Sequence, residues 1–451
     1  MSSEVSREQA PAWMDEIHEF LYPVLNELHG THYSERFWKI LVHKYVSTVL
    51  TRKEVFEQHE GAVDAPLYPV NKLFLSPREQ RHVTITRFLR RIKHRGTLTR
   101  LSHFLREHNE ISINATPYFN RETGSTILPF YSPVRPGKPR KEVRERLNRM
   151  AESQPNRFHR NILRLLPGIF VEHFQWFMDA IPLHAPGEKG FRVFTVAPGF
   201  QTFLLARYVE EGAKLDWYQH GGYYGEQAGH RAHHHESAVA DRFHTWGWKV
   251  AENDVPDRAY KLEQFQQAYR AHTPPREYAA LVVMPLANSD YKPHYEPLLK
   301  QLLPALLRDG VDESDLLIRA RSRYQFFGNQ SQLDFYGKNR FSFSPGKRPI
   351  VEEVRASKLV VHINLPSTTF LECVSVDHPC ILIPDMSTYA PSALAEPFYE
   401  FFFEQGVFHR DVESAIAHVE AENTERWWKQ VVEHPIYQEF KRTFCQTKSD
   451  V

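Results

Sequence analysis

Residues Leu359 to Glu372 read LVVHINLPSTTFLE. The run Leu359–Ile363 is short, apolar and rich in β-branched residues, and Leu365–Pro366 punctuates it, so the pattern predicts a buried strand of the parallel type. Ser367, Thr368 and Thr369 then open an apolar segment with the composition of a helix start. Strand, loop and helix in that order form the unit of open parallel sheets, which bind ligands beyond the carboxyl ends of their strands. Successive hydroxyls at a helix N-terminus, where the dipole is positive, make a seat for phosphate. The competing reading makes one of them a simple N-cap, with Glu372 one turn on. Ser367, Thr368 and Thr369 are therefore the candidate phosphate-binding residues, Glu372 the candidate partner of a ribose, and His362 on the strand joins the same donor-binding set.

Similar units lie on either side. Downstream, Cys380–Pro384 reads as a strand; upstream, YAALVVMP (278–285), a helix over Tyr295–Leu307 and a strand at Leu316–Arg319 continue the series. A second series begins after Gly190 with FRVFTVA, a helix through Phe203–Glu211 and the strand AKLDWYQ. Before both, residues Asp15 to Phe56 carry apolar positions at helical spacing with a break at Gly30–His32, where Ser34 is the cap of a second helix. A chain of 451 residues exceeds one ordinary core. The expected fold class is α/β, with two Rossmann-like domains and N-terminal helical additions: a first domain over 1–260 with helical insertions, a second over 275–395, and bracing helices over 396–451.

Lys and Arg number 56 against 55 Asp and Glu, a net charge of +1, so no global polyanion-binding surface and no nucleic-acid partner is expected. Three cysteines are too few for a disulfide framework and fit a reducing cytoplasm. The polar, acidic start MSSEVSREQAPAWMDE lacks the pattern of a secretory leader, and no apolar run approaches the roughly 20 residues of a membrane span. The basic stretch from Arg78 to Arg106 reads as a solvated amphipathic helix or, alternatively, as a peripheral contact with anionic lipid at the inner membrane face. Tyr131–Arg149 reads as a Pro/Gly-rich basic insertion or lid.

The densest cluster of chemistry is DWYQHGGYYGE (216–226), followed by His230, His233, His234, His235, Glu236, Asp241 and TWGW (245–248). Gly221, Gly222 and Gly225 let the backbone turn sharply and approach a ligand. His220, at a strand end, is a candidate general base or oxyanion partner, and Glu236 a carboxylate that orients it or takes the proton. Asp216, Glu226 and Asp241 are rivals for the carboxylate role. The spacing of His230 with His233 or His234, and Glu236 as an oxygen donor, invites a metal, but nothing else in the sequence supplies a second ligand group of the right kind. No metal is expected, and no cofactor beyond an activated co-substrate. Arg319 and Arg321, in LIRARSRY (317–324), suit a phosphate or carboxylate through their guanidinium forks.

Leu25–Asn26, Tyr33–Trp38, Gln219–Gly222 with Tyr224–Gly225, His235–Glu236 with Asp241, Thr245–Trp248, and Ser367–Thr369 with Glu372 together resemble the surface-carbohydrate transferase family first named from a Leptospira lipopolysaccharide locus. That family is similar in architecture to capsule Kdo transferases and teichoic-acid glycerophosphotransferases. The resemblance implies a GT-B fold with two domains facing a cleft, acceptor chemistry in the N-terminal half and nucleotide binding in the C-terminal half. Phe37 stands where the family usually has tyrosine, and His230, His233 and His234 are additions.

The implied function is transfer of a sugar from a CMP-activated 3-deoxy-ulosonic acid, such as Kdo or a nonulosonate, to a bacterial surface polysaccharide or lipopolysaccharide. The arginines would then hold the donor carboxylate. Another nucleotide sugar, a CDP-polyol, or a non-catalytic role in polysaccharide assembly are the alternatives. The expected partners are a nucleotide-activated sugar and a glycan or lipid-linked acceptor.

Overall fold

The computed structural model describes residues 9–51, 53–58, 97–128, 138–196, 199–271, 277–283, 302, 306, 315–319, 342–344, 348–364, 367–384 and 389–448. The chain divides into two compact units: Met1–Tyr218 with Gly229–Phe243, and Gln219–Ala228 with His244–Val451.

In the first unit, helices Ala10–His29 and Glu35–Thr51 pack on each other through the apolar stripes expected from the sequence. Their connection is built around Asn26. Its Oδ1 accepts from the Tyr33 amide at 3.0 Å, the Thr31 hydroxyl at 2.9 Å and Trp38 Nε1 at 3.0 Å, while its Nδ2 donates to Tyr33 O at 2.8 Å. Ser34 Oγ caps the second helix by accepting from Phe37 N at 3.1 Å.

Strands β1 (Glu110–Ile113), β2 (Thr126–Ile127), β3 (Gly190–Val193) and β4 (Lys214–Tyr218) run parallel, with β1 between β2 and β3 and β4 beyond β3. Register aligns Ile111, Phe191 and Leu215 in one row and Ile113, Val193 and Trp217 in the next, all buried. Fully burying each such side chain contributes roughly 1.5–3 kcal/mol. The intervening residues, Arg192 and Asp216, fall on the other face. Helix Phe200–Glu210 lies against Glu35–Thr51. The chain passes into the second unit within β5 (Arg242–Thr245) and continues through β6 (Asp254–Pro256).

The second unit holds β7 (Ala280–Val283), β8 (Leu316–Arg319), β9 (Ser342–Phe343), β10 (Val360–Asn364) and β11 (Cys380–Pro384), in the order β11-β10-β7-β8-β9 with every pair parallel. The first strand is central, the chain winds outward to β9, and it returns to the other side of β7 for β10. The switch point of this doubly wound sheet therefore falls between β7 and β10, where ligands of such sheets bind.

Helices Glu396–Glu404, Val412–Ala421, Thr424–Glu433 and Pro435–Phe444 belong to this same unit. Phe402 and Phe440 meet Phe370 at ring-centroid distances of 6.0 and 6.3 Å, and Trp428 Nε1 donates to Asp377 O at 2.8 Å. The units thus divide elsewhere than at 260–275. Hydrogen bonds tie residues 219–228 to the second unit, and aromatic packing puts the terminal helices there as part of its core. Among the described residues no helix is long and apolar enough to cross a membrane.

Candidate active site

The helix Thr368–Ser375 begins just beyond β10, at the switch point, with Ser367 as N-cap residue. Ser367 makes no side-chain cap, and its Oγ is buried without a hydrogen-bond partner. Thr368 Oγ1 instead accepts from Gly222 N at 3.0 Å. The glycine loop lies against this helix start with no room for side chains. A Cβ on Gly222 would stand 2.9 Å from the Ser367 carbonyl carbon and 3.0 Å from Thr368 N, and one on Gly221 would meet Thr368 Oγ1 at 3.0 Å. The two sequence motifs, 145 residues apart in the chain, form one local structure.

Gln219 holds that loop in place. Its Oε1 accepts from Trp246 N at 3.0 Å and Trp248 Nε1 at 2.9 Å, and its Nε2 donates to Gly221 O at 2.9 Å. Thr245 Oγ1 donates to Trp248 O. Gly225, at φ 73°, receives the Trp248 ring where a Cβ would fall 2.5 Å from its nearest carbon. This explains why QHGG, YG and TWGW occur together. Beyond the glycines, Ala228 N donates to Ala390 O at 3.0 Å and Ser392 N to Glu226 O at 2.8 Å.

Within the loop, His220 Nδ1 and the Tyr224 hydroxyl share a hydrogen bond of 3.0 Å, which sets the ring's orientation. Lys261 Nζ donates to His220 O at 3.4 Å. Glu226 is fully buried: its Oε2 accepts from Tyr399 OH at 3.0 Å, and Tyr399 OH meets Tyr389 OH at 2.6 Å. Burial pushes the Glu226 carboxyl up to about 8 against the lowering effect of Tyr399 and the Tyr223 backbone. A carboxyl so enclosed, with Oε1 unpartnered, is a core acid and a poor base for substrate.

The donor-side residues separate. Glu372 is buried, pushed up to about 7 by burial and held down by Lys261, Thr369 and Arg319. His362 is 2% exposed, packs edge-on to Phe370, and is lowered to about 3 by burial. It is a core imidazole and not a donor contact. Arg319 is committed to Glu353 at 2.6 Å and to Arg348 O at 3.1 Å, and Ser344 Oγ donates to the same carboxylate. Its charge is already compensated. Arg321 lies outside the described residues.

The remaining candidates belong to the first unit. Asp216 forms a two-pronged pair with Arg242 at 2.9 and 2.6 Å. Asp241 accepts from Leu215 N at 2.8 Å and pairs with Arg36 at 2.9 Å. Both read as structural carboxylates. Glu236 is buried on helix Arg231–Val239. His230 caps that helix, accepting from His233 N at 3.3 Å, and His234 meets Asp15 at 2.9 Å. Sequence reasoning missed Gln219, Tyr224, Lys261 and Tyr399. Only Gln219 and Tyr224, inside the quoted motif, carried a signal.

Two parallel-sheet units, with a hydroxyl-bearing helix start at a switch point, define an α/β protein of Rossmann-like construction. Matched by the family profile over residues 70–451, the chain belongs to the LIC12162 family transferases. No curated protein matches the sequence. Solved structures similar to it include a variant of the wall teichoic acid polymerase TagF, 12% identical with a TM-score of 0.40 over 84% of this chain and 94% of that one. A TagF variant soaked with CDPG is 11% identical, with a TM-score of 0.38 over 85% and 95%. MurG from Acinetobacter baumannii is 12% identical, with a TM-score of 0.29 over 76% and 88%.

Proposed function

We propose that this transferase is a GT-B glycosyltransferase that moves a sugar from a nucleotide-activated donor onto a bacterial surface polysaccharide or lipopolysaccharide, with the donor phosphates seated at the start of helix Thr368–Ser375. The observation that carries the reading is the buried, unpartnered Ser367 Oγ at the β7/β10 switch point, beside the Thr368 hydroxyl and the Gly222 amide. A buried hydroxyl without a partner costs about 1–3 kcal/mol, and a phosphate oxygen would satisfy it. The helix dipole favours the same charge.

His220, oriented by Tyr224, is the proposed base: its Nε2 takes the proton of the acceptor hydroxyl as the nucleotide departs. Glu372, balanced near neutrality beside Lys261, is the proposed ribose partner. Glu236 remains the proposed carboxylate of the acceptor side.

For the donor, the CMP-activated 3-deoxy-ulosonic acid rested on the resemblance to capsule Kdo transferases and on Arg319 and Arg321, which would hold its carboxylate. The Glu353 pair takes Arg319 out of that role. The proposal therefore commits to a nucleotide-activated sugar without a required carboxylate clamp. A CDP-polyol, which also lacks a carboxylate, is the second reading that this pairing favours.

Thermal shifts with CMP-, UDP-, GDP- and CDP-linked compounds select the nucleotide, because a ligand that binds the native state raises its melting temperature. Calorimetric titration of the Ser367→Ala, Thr368→Ala double variant is expected to show at least a tenfold loss of affinity with an unchanged fold. Unchanged affinity would reduce these hydroxyls to helix-end decoration and sink the phosphate seat. Absence of binding by every nucleotide would favour a non-catalytic assembly role.

A further inference from the structure

The first unit contains a cluster that none of the chemistry above uses. His18 lies on helix Ala10–His29, His43 on Glu35–Thr51 and His235 on Arg231–Val239. One ring nitrogen from each falls within 4.8 Å of the others. The His43 and His235 rings stack with centroids 3.4 Å apart, and His18 stacks on His235 at 5.9 Å. His18 Nε2 and His43 Nδ1 are buried with no hydrogen-bond partner. The nearby carboxylate of Asp15 is engaged by His234 at 2.9 Å and approached by Lys39 at 3.8 Å.

Three helices that bring imidazole nitrogens within 4.8 Å of one another, with two nitrogens unsatisfied, make a costly core. Each unpaired buried nitrogen costs about 1–3 kcal/mol, and apolar side chains of similar size would avoid that cost.

We propose that His18, His43 and His235 form a three-nitrogen site for a divalent transition metal, Zn2+ foremost, with water completing the coordination. Imidazole donors exclude magnesium and calcium, which take oxygen ligands. Zinc–nitrogen bonds of about 2.0–2.1 Å in a tetrahedral site place ligand nitrogens about 3.4 Å apart, so metal binding requires the nearly parallel His43 and His235 rings to rotate out of their stack until the lone pairs meet at one point. The metal would strut the two N-terminal helices against the helix that bears Glu236.

Full-length protein purified without a polyhistidine tag is stripped with chelator and loaded separately with Zn2+ and Co2+. The expected result is about one metal per chain by mass spectrometry, a Co2+ visible spectrum of tetrahedral intensity, and a higher melting temperature with Zn2+. His43→Gln and His235→Gln should lose the metal, while the control His230→Gln, His233→Gln should keep it. Because the first two variants can fail to fold, the Co2+ spectrum of the wild type stands as an independent readout. No stoichiometric metal, or metal that leaves with His230 and His233 and stays with His43→Gln, overturns the proposal.

Discussion

Gly221 and Gly222 touch the same helix start but meet different atoms, and the difference has a measurable consequence. A methyl at Gly222 collides with backbone at Ser367 and Thr368, which cannot swing away; one at Gly221 meets only the Thr368 hydroxyl, which can rotate. Gly222→Ala is expected to displace the loop, break its bond to Thr368 and reduce nucleotide affinity at least about tenfold, a loss of about 1.4 kcal/mol. Gly221→Ala should cost less. Titration of both variants with the same nucleotide checks the order, and equal affinities would contradict it.

Glu226 makes a prediction in pH. Its folded value of about 8 stands above the unfolded carboxyl value of about 4.3, so between them the folded chain keeps a proton that the unfolded chain releases. Stability is unpenalised below the unfolded value, falls as pH rises through the window, and levels off above about 8. Glu372 adds the same sign up to about 7. Glu226→Gln, which preserves shape and the bond from Tyr399, should melt several degrees above wild type at about pH 8 and close to it at about pH 4. Melting curves across that range decide; a parallel pH dependence in both proteins would mean Glu226 ionises freely in the fold.

At the scale of elements, the loop 219–228 is a separate construction with its own lock. Gln219→Leu fills the same space but strands the Trp246 amide and the Trp248 indole N–H, two buried donors at about 1–3 kcal/mol each. The variant should melt lower and also lose nucleotide affinity, because the lock fixes the backbone that meets Thr368. A variant that melts lower yet binds normally would separate the lock from the seat.

Strong apolar runs were legible: β8 and β11 fall where their sequences predict, and β7 and β10 within a residue or two. Strands β1, β2 and β9 were not, being two to four residues long and partly polar, too short for a period to register. The helix after β3 begins at Phe200, three residues earlier than its apolar spacing suggests, because Gly199 N is capped by Thr202 Oγ1 at 3.3 Å. Ser367–Thr369 and QHGG were visible as motifs. Their contact was not, since nothing in either stretch encodes its distance from the other, and the same holds for His18, His43 and His235.

At the scale of the whole molecule, the proposed nucleotide seat and the proposed metal site fall in different units. Calorimetry is therefore expected to resolve a response to nucleotide separate from a response to metal. The nucleotide should protect amides of β7, β10 and helix Thr368–Ser375 from hydrogen exchange, and Zn2+ those of helices Ala10–His29 and Arg231–Val239. Protection of the same amides by both would show that the two sites are one thermodynamic unit.

The excursion of residues 219–228 has a consequence for lineage and for engineering. The chain visits the second unit for ten residues, returns, and crosses again at 244, so neither unit is a continuous stretch of gene. A recombination event that exchanged everything after a single breakpoint near 260 would import a new helix start without the glycine loop shaped to it. Productive exchange needs two breakpoints that carry the ten residues along. Donor preference in such a protein is expected to change by substitution within the unit more readily than by swapping it whole.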